Sequence, residues 1–123
     1  MHYNISITED IACITLEGNL NALDFIFMLQ SKEYKDMIKQ YKKIIMDYTK
    51  ITGSTLTEQD GVPLSMLIKK DLEHLGKITF VISVNENKQK LMEKITSSIF
   101  SDSHIDLFVT DAKTKALEIL HSI

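Results

Sequence analysis

Residues 3–8 alternate, with Tyr3, Ile5 and Ile7 on one side and Asn4, Ser6 and Thr8 on the other, the period-2 pattern of a half-exposed strand. After Glu9-Asp10 the alternation resumes over residues 11–17, where Ala12, Ile14 and Leu16 oppose Ile11, Cys13 and Thr15, so the two runs are predicted to pair as an antiparallel hairpin. Gly18-Asn19-Leu20 then breaks the strand. Asn21 as N-cap and Asp24 as first-turn acid predict a helix running to about Tyr41, with Leu23, Phe27, Tyr34, Ile38 and Tyr41 as its inward stripe. Its first half is apolar most of the way round through Phe25, Ile26, Met28 and Leu29. That end is either buried on several sides or exposes an apolar patch, and an exposed patch marks a dimer contact or a lipid-like ligand groove.

The run KIIMDY at 43–48 reads as a central strand covered on both faces, with Asp47 an acid near its end. A loop of small hydroxyl residues follows (Thr52, Gly53, Ser54, Thr55), and then Thr57-Glu58-Gln59-Asp60, which resembles a capping box with an acid in the last place. Pro63 favours a helix start at Asp60, because the proline then falls in the first turn where it has no intrahelical bond to lose. That helix takes its period from Val62, Met66 or Leu67, Lys70 and Glu73-His74, and stops at Gly76. Loops beyond the C-terminal ends of such strands are the usual place for contacts with ligands or partners. Thr52, Ser54, Thr55, Thr57, Glu58, Asp60 and the nearby Ser65 are therefore the candidate contact residues.

A second central strand is predicted over 77–84, a helix over 86–99 capped by Asn85, a last strand over 105–109, and a final helix capped by Asp111 with Ala112, Ala116, Ile119 and Leu120 inward. Helices alternating with strands after an opening hairpin imply right-handed crossovers. The predicted fold class is α/β, with a mixed, mostly parallel five-stranded sheet and about four flanking helices, in one domain spanning residues 1–123.

Composition narrows the function. The 14 basic residues are all lysines, which removes bidentate guanidinium clamps and arginine fingers and argues against nucleotide hydrolysis. A net charge of -3 leaves no broad basic face for nucleic acid. One cysteine, Cys13, no secretion signal and no apolar run of about 20 residues predict a cytoplasmic protein without an internal disulfide or a membrane span. His2, His74, His104 and His121 show no metal-ligand spacing, and no glycine-rich phosphate loop is present. Asp47, Glu58 and Asp60 could cluster as an acid/base pair or weak Mg²⁺ site, but strand-end and cap duties explain them more economically. Neither an enzyme, a metal nor a cofactor is called for.

The element order, Gly18-Asn19-Leu20-Asn21 after the second strand, KIIMDYTKI leading into a loop and helix, KITFVISV, and DAKTKALEIL after the last strand together resemble the STAS domain, the fold of bacterial anti-sigma-factor antagonists and of the cytoplasmic tails of sulfate transporters. The resemblance implies a non-enzymatic regulatory module docking a protein partner, such as an anti-sigma-type kinase or related regulator, through the loop 52–60 and the next helix. The antagonists typically carry Asp-Ser-Ser-Gly where this chain has Glu58-Gln59-Asp60-Gly61. A looser STAS-like branch opens the helix with a Thr/Ser-Glu-Glu-Asp pattern, close to Thr57-Glu58-Gln59-Asp60. Asp60 thus takes the place of the phosphorylatable serine, and no phosphorylation-gated switch is expected there. Thr57 and Ser54 are the remaining candidate phosphorylation sites. The alternative function is a small-molecule or lipid carrier using the apolar segment Phe25, Ile26, Met28 and Leu29, and homodimerisation through the same segment is compatible with either.

Overall fold

The computed structural model describes residues 1–73, 75–84, 105–111 and 113–122, apart from the side chains of Glu58 and Lys113. Its strands are β1 (His2–Thr8), β2 (Ile11–Leu20), β3 (Lys43–Ser54), β4 (Ile78–Ser83) and β5 (Ile105–Thr110), joined in one sheet in the order β1-β2-β3-β4-β5. β1 is antiparallel to β2, and every other neighbouring pair is parallel. The α/β class and mixed, mostly parallel sheet expected from the sequence are those observed. The described helices are α1 (Ala22–Gln30), α2 (Lys32–Gln40), α3 (Gly61–Leu72) and α4 (Lys113–His121), with a single 3₁₀ turn at Glu58–Asp60. The helix expected over 86–99 with its Asn85 cap, and His74 and His104, lie outside the described residues. No helix among the described residues is long and apolar enough to cross a membrane.

Successive parallel strands that advance in one direction with right-handed crossovers place their connections on one side of the sheet. The larger core lies there: Ile44, Met46 and Tyr48 of β3 and Phe80 and Ile82 of β4 meet the inner faces of α1, α2 and α3. The alternate positions Ile45 and Val81, with Ile11 and Cys13 of β2, face the other way and meet Ala116 and Leu120 of α4. The hairpin between β1 and β2 turns at Glu9 and Asp10, with Glu9 at φ 58, a left-handed conformation that costs a residue other than glycine about 1 kcal/mol.

Three expectations are corrected. The helix predicted over 21–41 is two helices, because Ser31 adopts an extended backbone (φ -69, ψ 151) between them. Its hydroxyl donates to the Met28 carbonyl at 2.7 Å and accepts from the Tyr34 amide at 3.2 Å, ending α1 and capping α2. The break resets the helical phase. Phe25, Met28 and Leu29 turn inward on α1, while Leu23 and Phe27, expected inward, face solvent. The second correction concerns Gly18 (φ 87), which does not end β2: the strand continues to Leu20 with register shifts on either side of Glu17-Gly18. Its partner β3 accordingly runs to Ser54 rather than to Tyr48. Third, α3 ends at Leu72, before Gly76, and its inward stripe is Leu64, Ile68 and Leu72, leaving Val62 and Met66 exposed.

The start of α1 carries a charged cluster. Asn21 accepts from the Asp24 amide at 2.9 Å and donates through Nδ2 to Asp24 Oδ2 at 2.8 Å, and the Met1 amine donates to the same oxygen at 2.9 Å. The Asn21 hydrogen bond, then the Met1 amine, hold the Asp24 carboxyl below its ordinary range. A carboxylate depressed in the folded state stabilises the fold above its unfolded pKa of about 4, and that stabilisation is lost as pH falls through the folded value. Urea midpoints of wild type and Asp24→Asn should therefore differ at pH 6 and converge as the pH falls below the ordinary carboxylate range. A difference that persists unchanged to pH 2 would contradict this assignment.

Candidate functional site

The loop between β3 and α3 leaves the sheet at the C-terminal ends of the parallel strands, and its backbone is tied down at each step. The Thr55 amide donates to the Leu20 carbonyl at 2.9 Å, and the Leu56 amide to Ser54 Oγ at 3.2 Å. Leu56 is buried in the main core, which anchors the loop midway. Beyond it the Thr57 amide donates to Asp60 Oδ2 at 2.8 Å, Thr57 Oγ1 donates to the same oxygen at 3.3 Å, and the Asp60 amide donates to the Thr57 carbonyl at 3.1 Å. This is the carboxylate half of a capping box, closed around the 3₁₀ turn. Asp60 also occupies the N-cap position of α3, yet its side chain makes no capping bond there, because it points back to Thr57. Pro63 falls in the first turn of α3, as the later start requires.

The candidate contact residues therefore divide. Thr57 and Asp60 are brought together, Ser54 is engaged by Leu56, and Thr55 is exposed and held by its backbone. Thr52 and Ser54 belong to the end of β3, where Asn19 pairs with Gly53 and Leu20 with Ser54, so the loop is shorter than expected. A Cβ at Gly53 would sit 3.1 Å from Asn19 Oδ1, so a larger residue at this crossing requires the Asn19 side chain to give by a few tenths of an ångström. Ser65 lies half-buried on α3, and the Glu58 backbone lies in the 3₁₀ turn.

Asp47 does not join Asp60. Its side chain follows Ile45 onto the sheet face covered by α4, where it is only 6% exposed and accepts through Oδ1 from the Thr49 amide at 2.9 Å and the Thr49 hydroxyl at 2.6 Å. Thr15, Asp47, Ser83 and Thr110 are register partners in a polar row across β2 to β5, and the buried Ser83 hydroxyl has no hydrogen-bond partner among the described residues. Among the described residues no group of three His, Cys, Asp or Glu side chains could hold a metal ion. Tyr34 and Tyr48 are buried in the main core, and burial pushes both phenols well above their ordinary range, so neither offers a proton near neutral pH.

Of the two readings of residues 25–29 the structure shows burial: Phe25, Met28 and Leu29 lie in the main core, and Ile26 is partly buried against it, so these side chains form no exposed patch. The exposed apolar side chains nearby are Leu23 (62%), Phe27 (60%), Val62 (66%) and Met66 (67%), one turn apart on each of α1 and α3. The sequence places Leu23 and Phe27 inward and takes the period of α3 from Val62 and Met66. The signal that would have found them is the spacing of Leu64, Ile68 and Leu72, whose fourfold step marks the buried stripe of α3, together with Ser31 as a cap within the predicted helix.

No protein-family model and no curated protein sequence matches the chain. Solved structures do match its fold. The anti-sigma factor antagonist SpoIIAA in its unphosphorylated form is similar over 99% of this chain and 100% of its own, with a TM-score of 0.54 and 14% identity. The phosphorylated form of SpoIIAA, a Bacillus cell fate determinant, covers 97% and 99% with a TM-score of 0.52 and 13% identity. A DUF3478-family protein with a SpoIIAA-like fold from Shewanella loihica PV-4 covers 97% and 92% with a TM-score of 0.59 and 17% identity. The fold is therefore STAS-like, as the element order implied.

If the Thr57–Asp60 bonds hold the loop, Asp60→Ala should lower stability by about 1 kcal/mol in urea denaturation, and Gln59→Ala should stay within about 0.5 kcal/mol of wild type. A neutral Asp60→Ala would show that the loop is held by Leu56 and the backbone alone.

Proposed function

We propose that the chain is a non-enzymatic regulatory module, one domain in extent, that docks a protein partner through the loop 52–60 and the outer face of α3. The observation that carries this reading is the placement of Val62 and Met66, exposed in the first turns of α3, directly after the tied-down loop. The fold shared with an anti-sigma factor antagonist supports it, and suggests as partner class a kinase of the anti-sigma type or a related regulator. The lipid-carrier reading loses its premise, because the side chains meant to line the groove fill the core.

The same geometry favours a module without a phosphoserine switch. Asp60 stands before Gly61 with a fixed charge of about -1, weaker than a phosphate of about -1.5 to -2, and it is engaged by the Thr57 amide. A phosphate on Thr57 Oγ1 would replace the hydroxyl proton donated to Asp60 and set two anions against each other.

A photo-crosslinking residue at Gln59, with a control at His121 on α4, tests the docking surface in the native host. The expected result is one crosslinked protein partner from position 59 and none from position 121. Equal capture from both, or capture from 121 alone, contradicts the reading, and stoichiometric phosphate on Thr57 or Ser54 in protein isolated from that host would overturn the unswitched form.

A further inference from the structure

We infer that β1 is the seat of a second copy of this chain, the two copies pairing edge to edge as antiparallel strands about a two-fold axis at Ile5. This surface lies apart from the loop 52–60 and α3, so it stands or falls separately from the docking module. β1 is the outermost strand of the sheet and pairs with β2 alone. In an antiparallel pair alternate residues turn their N–H and C=O groups away from the partner strand, so β1 presents a row of such groups outward. Among the described residues no backbone hydrogen bond reaches them.

The edge is bare. A depression of about 320 Å³ is lined by Tyr3, Asn4 and Ile5 of β1 and by Glu33 of α2. Successive strand residues point to opposite faces, so three in a row line one hollow only where it runs along the outer edge of the strand. Sheets commonly guard such an edge with a charge, a proline or a bulge. β1 has none of these: its seven residues HYNISIT include no lysine, acid or proline, and they pair with β2 in unbroken register from His2↔Glu17 to Thr8↔Ile11. β5, at the other end of the sheet, carries Asp106 paired with Lys77 at 3.1 Å.

The strand's own pattern selects the occupant. A two-fold centred on Ile5 sets Tyr3 against Ile7 of the copy and Ile5 against itself on one face, and Asn4 against Ser6 and His2 against Thr8 on the other. Ile7 is 45% exposed, and the copy's Tyr3 covers it in an aromatic-to-β-branched pair, a favoured cross-strand contact. Each strand thus supplies the apolar cover that the other lacks. Charge does not oppose the pairing. Glu33 accepts from Tyr3 Oη at 3.3 Å and so occurs on both sides of the axis, but Tyr3 and its image are four residues apart along the ladder, roughly 13 Å, beyond the Debye length of about 8 Å. Asp36, the next acid of α2, has Lys32 and Lys39 beside it at helical spacing.

The test follows the full-length chain by sedimentation from about 1 μM to about 1 mM, the range of weak interfaces. The expected result is a monomer that becomes a dimer as concentration rises, with no larger species, because a two-fold contact closes on itself. Ile7→Lys, at an exposed position, should raise the dimer dissociation constant at least about tenfold, with the circular dichroism spectrum unchanged. Under oxidation Ile5→Cys should link two copies, since its image lies directly opposite, whereas Thr8→Cys, about 20 Å from its own image, should not. Wild type, with its buried Cys13, is the control for the native thiol. A monomer at every concentration, a dimer that Ile7→Lys leaves intact or Phe27→Glu dissolves, or equal linking in Ile5→Cys and Thr8→Cys would each overturn the inference. So would capture of another protein in the native host by a photo-crosslinking residue at Ser6 in a chain that sediments as a monomer, which would give the edge to a partner's strand. None of these outcomes bears on capture through Gln59, which tests the docking module alone.

Discussion

The Ser31 hydroxyl closes one helix and opens the next, and the placement of almost everything on that side of the sheet follows from it. A straight helix from residue 21 to 41 would be about 30 Å long, whereas the six residues of β4 at the sheet centre span roughly 20 Å. Breaking it lets α1 and α2 each lay a separate apolar face on the strands: Phe25, Met28 and Leu29 from the first, Tyr34, Met37 and Ile38 from the second. Each segment then buries three large side chains, which stabilises the fold by about 1.5–3 kcal/mol per residue, far more than the helical hydrogen bonds forgone at one position. The consequence for the surface is equally direct, since the phase that buries Phe25 and Leu29 turns Leu23 and Phe27 outward.

The loop shows a second constraint of the same kind. Thr55 to Leu20, Leu56 to Ser54 and Thr57 to Asp60 fix its backbone, and the buried Leu56 side chain fixes its middle. A loop so held loses little conformational freedom when a partner arrives, which favours binding without a prior folding step. Asp60 spends its carboxylate on this task and not on the α3 terminus. Asp60 is thus part of the loop's framework.

The fold was legible because its strands repeat with period 2 and its caps stand where helices begin. β1, the opening of β2 and the first half of β3 lie where alternation and apolar runs put them. What was not legible depended on tertiary pairing. Gly18 reads locally as a strand breaker, but the β3 strand alongside supplies hydrogen bonds that carry β2 through its bulges to Leu20. The apolar excess of residues 25–29 gives no unique helical phase, and only the sheet beneath decides that Phe25 enters the core and Phe27 does not. In the candidate site the Thr57-to-Asp60 spacing was informative, while the sheet face that takes Asp47 was not legible, because strand parity relative to the helices cannot be read from composition.

The account stands on the orientation of α1 and α3, since the proposed docking surface depends on it. A soluble paramagnetic agent added to the methyl-labelled protein measures that orientation directly. The account predicts strong attenuation of the Leu23, Val62 and Met66 methyl signals, with Met28, Leu29, Leu64 and Ile68 protected. Protection of Leu23 and Val62 with attenuation of Leu29 would mean that the helix runs unbroken through Ser31 with its other face inward, and would contradict it.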